Sequence, residues 1–141
     1  MNITRDCCSQ NECGQYPSEL NVLIDSIKLI YPNWKIHMIF QPHLYSRTRD
    51  FMEHFANQLS RVDDLTLLPI YPAREEPLKG VSSEALLDQI NLDEKRILSP
   101  ENAVQYYDDI KCGVVLSVGA GDINLLVLKL KNVLLKNISP S

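Results

Sequence analysis

Apolar residues recur at Leu20, Leu23, Ile24, Ile27 and Ile30, a three- and four-residue spacing that predicts an amphipathic helix starting at Pro17. Proline suits a first helical turn, and Pro32 marks the stop. The run Lys35 to Phe40 then predicts a strand, and Phe51, Phe55 and Leu59 predict a helix from about Thr48 to Arg61. Leu65 to Tyr71 reads as the next strand. Pro69 lies inside it and has no N–H to give, so the ladder is expected to fail there. The polar loop Pro72 to Val81 is longer than a usual strand-to-helix connection, which marks it for a functional role. Ser82-Ser83-Glu84-Ala85 offers an N-cap for a helix reaching about Ile90. Arg96 to Leu98 reads as a short strand, and Ser99-Pro100-Glu101 opens a helix through Ile110. Val114 to Val118 is a buried strand, and Asp122 to Asn137 is the last helix.

Strands alternating with helices predict a three-layer α/β domain with a mainly parallel sheet covered on both faces. Residues 1–16 are polar, cysteine-rich and weakly patterned, with a short strand expected near Asn2 to Arg5; residues 17–138 read as one domain.

Charge narrows the partners. The net charge of −4 argues against a general nucleic-acid surface, which needs a basic face. No apolar run approaches the roughly 20 residues of a membrane span, and the first residues lack the basic start and apolar centre of a signal peptide. A cytoplasmic location is the expectation. Cys7, Cys8 and Cys13 form C-C-x4-C, without a C-x-x-C pair, so no metal site is expected and the thiols read as reduced.

The densest chemistry lies in Phe40-Gln41-Pro42-His43-Leu44-Tyr45-Ser46-Arg47-Thr48-Arg49-Asp50, directly after the predicted strand. Strand C-termini in open α/β sheets are where ligands bind. There His43, Arg47 and Arg49 would form an anion clamp, two of its members permanently charged. The other reading makes both arginines surface charges in a helix's first turn. Cations there oppose the helix dipole, and a bound carboxylate or phosphate would supply the reason for them.

Gly119-Ala120-Gly121-Asp122 follows the last strand and opens the last helix. It reads either as a close backbone approach to a ligand or as a tight turn with Asp122 as N-cap. No G-K-[ST] phosphate loop, G-x-S-x-G elbow or H-E-x-x-H pair occurs in the chain. His37 reads as a sheet-face residue and His54 as a helix-surface residue. The pairs Asp63-Asp64, Glu75-Glu76 and Asp108-Asp109 read as helix ends or loop decoration without a catalytic role.

The Phe40–Asp50 stretch resembles the C-terminal-domain signature of the UDP-N-acetylmuramate–L-alanine ligases, which are Mur ligases. The resemblance continues through Ile70-Tyr71-Pro72-Ala73-Arg74-Glu75, Gly80-Val81-Ser82 and Gly119-Ala120-Gly121-Asp122-Ile123, from about residue 11 to 136. It implies a Rossmann-like domain of the Mur ligase C-terminal type. That domain closes over an active site whose UDP-sugar, ATP and Mg²⁺ are held mainly by two other domains. The implied reaction forms an acyl phosphate on the lactyl carboxylate of UDP-N-acetylmuramate, and the amine of L-alanine attacks it, a step in peptidoglycan synthesis. By the same resemblance His43, Arg47 and Arg49 are substrate-side residues, and Gly119, Gly121 and Asp122 belong to a loop near the site. The chain departs from the pattern in three places, one of them Pro69, which stands where an Asp often precedes I-Y-x-A. Leu44 stands where the family usually has Arg. Asn11-Glu12-Cys13-Gly14-Gln15-Tyr16-Pro17-Ser18-Glu19 stands for D-D-Y-[AG]-H-H-P-T-E, with both histidines and the motif's tyrosine gone. Glu12 and Gln15 are what remain to meet a nucleotide there. The chain alone is expected to be inactive and to hold no cofactor tightly. The alternative is a degenerate, non-catalytic domain of the same fold that binds an anion or a partner.

Overall fold

The computed structural model of the chain describes residues 2–6, 16–107 and 113–119, together with Leu126, Lys129 and Asn132, whose backbone is helical. In chain order its elements are β1 (Asn2–Asp6), α1 (Pro17–Ile30), β2 (Ile36–Gln41), α2 (Tyr45–Asp50), α3 (Met52–Leu59), β3 (Asp64–Leu67), α4 (Ser83–Gln89), β4 (Lys95–Ile97), α5 (Pro100–Tyr107) and β5 (Gly113–Gly119). The five strands form one sheet in the order β1-β5-β2-β3-β4, and every pairing is parallel. This is the α/β fold that the alternating pattern predicts.

The pleat divides the central strands between two cores. Ile36, Met38 and Phe40 of β2 join Leu65, Leu67, Val114, Leu116 and Val118 on one face, beneath Leu20, Ile24 and Ile27 of α1, Phe55 and Leu59 of α3, and Leu86 of α4. Ile39 and Val115 point the other way and pack with Ala103 and Tyr107 of α5 and with Leu126. All residues of β2 and β5 are buried, as expected for a parallel sheet covered on both sides. Ile30, expected on the packed stripe of α1, is instead 59% exposed, because the stripe ends with Ile27 one turn before the chain leaves the helix.

Local signals explain some element ends. Ser82 Oγ accepts the Ala85 N–H at 3.0 Å and caps α4 as its sequence predicts. The β3 ladder stops at Leu67, ahead of Pro69. The Gln41 side-chain amide donates to the Pro69 carbonyl at 3.2 Å, and pairing resumes at the His43–Tyr71 bridge. The helix expected from Thr48 to Arg61 differs in two ways: it begins at Tyr45 and breaks at Phe51 into α2 and α3. Arg47 and Arg49 both fall in the last turn of this six-residue helix, where the dipole favours cations; Arg47, its third residue, belongs to the first turn as well, so the first-turn argument for an anion drops away for Arg49. The helix expected over Asp122 to Asn137 falls largely outside the described residues.

The second face carries a polar network within its core. Asp64 reads in the sequence as helix-end or loop decoration; it is instead buried on β3. His37 Nδ1–H donates to Asp64 Oδ2 at 2.8 Å, and Arg96 reaches Asp64 Oδ1 at 2.6 Å. Arg96 also donates to Thr66 Oγ1 at 3.0 Å and lies 4.1 Å above the Tyr106 ring. Thr66 in turn bonds the Tyr107 hydroxyl at 2.9 Å. Burial alone would raise the Asp64 pKa, but the hydrogen bonds from His37 and Arg96 outweigh it and hold the carboxyl below its ordinary value. Its stabilising contribution is therefore present above the ordinary Asp pKa and lost as pH falls through the lower folded value.

Breaking this network should cost far more than altering its neighbour. Asp64→Ala removes the buried partner of both His37 and Arg96, leaves Arg96 only the longer 3.5 Å contact with the exposed Glu94 carboxylate, and is expected to lose about 3 kcal/mol. Asp63 is exposed and accepts the Ile36 N–H at 2.8 Å, and Asp63→Ala is expected to lose about 1 kcal/mol. Urea unfolding of both variants measures the difference; equal losses would show that the network does not hold the second face.

Candidate functional site

The sheet has a switch point between β2 and β5. The chain leaving β2 enters α2 and α3, which cover the first face, whereas Leu126, beyond β5, packs on the second. Connections that diverge from neighbouring parallel strands open a crevice at the strands' C-terminal ends. Gln41 and Gly119 pair at that edge. A Cβ on Gly119 would lie 2.7 Å from the Gln41 carbonyl oxygen, and its φ of +141° is one that side chains rarely adopt, so glycine is required there.

His43 follows Gln41 by two residues and is fixed by the strand-like segment beyond Pro69. Leu44 N–H donates to the Tyr71 carbonyl at 2.9 Å, and Tyr71 N–H donates to the Pro42 carbonyl at 2.9 Å. The Tyr71 ring stacks on the His43 imidazole with 5.9 Å between centroids and a 14° interplanar angle. One helical turn on, Arg47 Nη1 donates to His43 Nδ1 at 3.1 Å. The Arg47 guanidinium also sits 4.6 Å over the Tyr16 ring, which meets Phe51 edge-on at 5.7 Å.

This geometry assigns the imidazole. A guanidinium only donates, so His43 Nδ1 is an acceptor and the neutral ring carries its proton on Nε2. Burial lowers the His43 pKa first, the Arg47 charge lowers it further, and Glu75 pulls weakly the other way, so the net shift is downward. A neutral Nε2–H donor beside a guanidinium suits a carboxylate or a phosphoryl oxygen.

Of the residues the sequence singles out, His43 and Arg47 are together. Arg49 is on a different side of α2, half exposed, with Nε bonded to Asp50 Oδ1 at 2.9 Å. Gly119 is at the same strand edge. Glu12, Gln15, Gly121 and Asp122 lie outside the described residues, as do Cys7, Cys8, Cys13 and Cys112. Three residues without a role in the sequence reading take part: Tyr16 and Tyr71 as ring partners, and Glu75, which bonds Ser46. Tyr16 stands at a family histidine position, and its contact with Arg47, 31 residues on in the chain, depends on the fold. A cleft at the opposite edge of the sheet, lined by Lys28, Tyr31, Trp34 and Arg61, is remote from this chemistry, and its Arg61 is engaged by Asp25, Asn21 and Gln58.

Among the described residues no group of three His, Cys, Asp or Glu side chains could hold a metal ion. None of their helices is long and apolar enough to cross a membrane.

No family model matches the chain. Curated relatives do. A UDP-N-acetylmuramate–L-alanine ligase of Parabacteroides distasonis is 45% identical over 128 residues, covering 91% of this chain and 28% of its own length. The ligase of the same name from Cytophaga hutchinsonii is 39% identical over 121 residues, covering 86% of this chain and 26% of its own. The chain thus spans about a quarter of the length of the curated relatives it matches. Among solved structures, a domain from a putative UDP-N-acetylmuramate:L-alanyl-γ-D-glutamyl-meso-diaminopimelate ligase of Haemophilus ducreyi superposes with a TM-score of 0.66 at 14% identity, covering 94% of this chain and 91% of that one. Over most of its length the chain is thus similar in sequence to about a quarter of the length of the UDP-N-acetylmuramate–L-alanine ligases, and it shares its fold with the Haemophilus ducreyi domain.

Proposed function

We propose that the chain serves as the C-terminal domain of an ATP-dependent ligase that joins L-alanine to UDP-N-acetylmuramate in the cytoplasmic part of peptidoglycan synthesis. The observation that carries this reading is the His43–Arg47 pair at the β2–β5 switch point, inside a motif kept almost whole. The pair offers a fixed positive charge and a neutral Nε2–H side by side. Together they can hold the alanine carboxylate, the lactyl carboxylate or a phosphoryl oxygen. Holding the alanine carboxylate would turn its amine toward the acyl carbon, where the new amide bond forms and phosphate leaves. Arg47 is the better of the two arginines for this role, because Tyr16 and His43 hold it in place, while Arg49 is tied to Asp50 and open to solvent.

The described residues offer neither a metal cluster nor a phosphate loop. By the family resemblance ATP and Mg²⁺ are held mainly by the central domain of the whole ligase, with this domain adding contacts to the amino acid and the nucleotide, and no step of nucleotide chemistry is given to this chain. UDP-N-acetylmuramate, L-alanine and ATP are the proposed partners of the whole ligase.

In a ligase carrying this domain, Arg47→Ala is expected to lower kcat/KM for L-alanine by roughly 10- to 150-fold, the loss of one charged hydrogen bond. Arg49→Ala is expected to change it less than threefold, as for an exposed ion pair. Steady-state kinetics decide, and equal effects of the two changes would remove the distinction drawn here. In the chain alone, Arg47→Ala should cost about 1–2 kcal/mol of stability, from one cation–π contact and one hydrogen bond.

NMR titration should place the His43 pKa below the ordinary histidine value of 6.5, and Arg47→Ala should raise it by removing a neighbouring positive charge. Because the folded value is depressed, the unfolded chain takes up the proton first. The His43 contribution to stability is full above pH 6.5 and is lost as pH falls through the folded pKa. His43→Gln should remove that part of the acid slope, and an unchanged slope would contradict the assignment.

A further inference from the structure

Glu75 belongs to a family-like motif, Ile70-Tyr71-Pro72-Ala73-Arg74-Glu75, that the function above leaves unused. Its position is unusual. The residue before α2 is Leu44, which has no side-chain oxygen to accept the first helical amides. Glu75 supplies one from a distance of 29 residues in sequence. The Ser46 N–H donates to Glu75 Oε1 at 3.0 Å, and the Ser46 hydroxyl donates to Oε2. The Tyr45 amide adds a third interaction with the same carboxylate.

The neighbouring backbone is strained on both sides of this contact. Leu44 has φ +69° and Ala73 has φ +55°, and they are the two non-glycine residues with positive φ among those described. Such conformations persist only where surrounding bonds over-determine them. Here the bonds are visible. Tyr71 holds Pro42 and Leu44 through two backbone hydrogen bonds and stacks on His43. Glu75 N–H closes a turn onto the Pro72 carbonyl at 2.9 Å, which turns its carboxylate back to the start of α2. Tyr71 and Glu75 therefore grip the chain on either side of Leu44.

We propose that Glu75 is a positioning residue: its carboxylate caps α2 from the loop after β3, and so keeps Arg47 one turn above His43 in the geometry that meets substrate. The proposal rests on the substrate-side reading of that pair. Arg47 is the third residue of α2, so its distance from His43 exists only while the first turn is formed. The two Ser46 hydrogen bonds hold the Glu75 carboxyl below its ordinary pKa, so it is ionised and acts as an acceptor at neutral pH.

The test separates this proposal from the functional reading. In the isolated chain, hydrogen exchange at Tyr45 and Ser46 should quicken by about tenfold or more in Glu75→Ala, whereas amides of β2 and β5 stay protected. Glu75→Gln keeps an amide oxygen in place and should restore most of the protection. In the ligase, Glu75→Ala should lower kcat/KM for L-alanine by about tenfold, Glu75→Gln should recover to within about threefold, and KM for ATP should stay unchanged. On an Arg47→Ala background, Glu75→Ala should cost nothing further, because a residue acting through Arg47 has lost its route. Unchanged exchange at Ser46, or additive losses in the double variant, would overturn the proposal. If Arg47→Ala alone leaves alanine kinetics intact, the substrate reading falls, and the claim that Glu75 positions substrate-contacting groups falls with it; quickened exchange at Ser46 would then show a structural cap alone.

Discussion

Strand β2 is buried along its whole length between β3 and β5, and the place where it ends fixes where a site can form. Every residue from Ile36 to Gln41 is buried: the even positions pack beneath α1, α3 and α4, Ile39 packs with α5 and Leu126, His37 meets Tyr107 of α5, and Gln41 bonds the Pro69 carbonyl. A strand with no exposed face cannot carry solvent-facing chemistry. The first residues free to do so are those just past its C-terminal end, and there the flanking connections diverge onto opposite faces. His43 and Arg47 occupy that position. Sheet order and burial thus do more to locate the site than any property of the two side chains.

The parts of this arrangement that were legible in the sequence are those with a local cause. Helix α1 follows from its apolar spacing and its proline, α4 from Ser82, and the break after Leu67 from the missing N–H of Pro69. The parts that were not legible depend on residues far apart in the chain. The early start of α2 at Tyr45 has no local cap, because its acceptor is Glu75 in another loop. Arg49 resembles Arg47 by sequence, yet a two-residue offset on a helix puts the two on different sides. Asp64 looks like its exposed neighbour Asp63 until the sheet register sets it opposite His37.

That register pairing explains why a charged network lies within the second face. Replacing a buried ion pair with apolar residues is often no worse for stability, so stability alone does not account for His37, Asp64 and Arg96. Register does. His37 is the register partner of Asp64, and Arg96 on β4 is that of Thr66 on β3. A slip of one residue between β2 and β3 would turn Asp64 into the apolar face and leave its charge without partners, which an all-apolar parallel sheet would not penalise so sharply. A register fixed in this way also fixes where β3 ends beside β2, and therefore where Tyr71 meets His43.

Leu44 bears on how much the departure from the family pattern matters. A positive φ at a leucine costs on the order of 1–3 kcal/mol, and arginine would meet the same steric penalty. The conformation is therefore not a property of the side chain at position 44. It is imposed from the facing segment, where Tyr71 holds the backbone on one side of Leu44 and Glu75 holds it on the other. The side chain is absent from both sets of bonds. Leucine in place of arginine consequently removes one possible anion contact while the turn that brings Arg47 to His43 keeps its shape. The substitution changes the chemistry available at the rim of the crevice and leaves its geometry to residues that the chain retains.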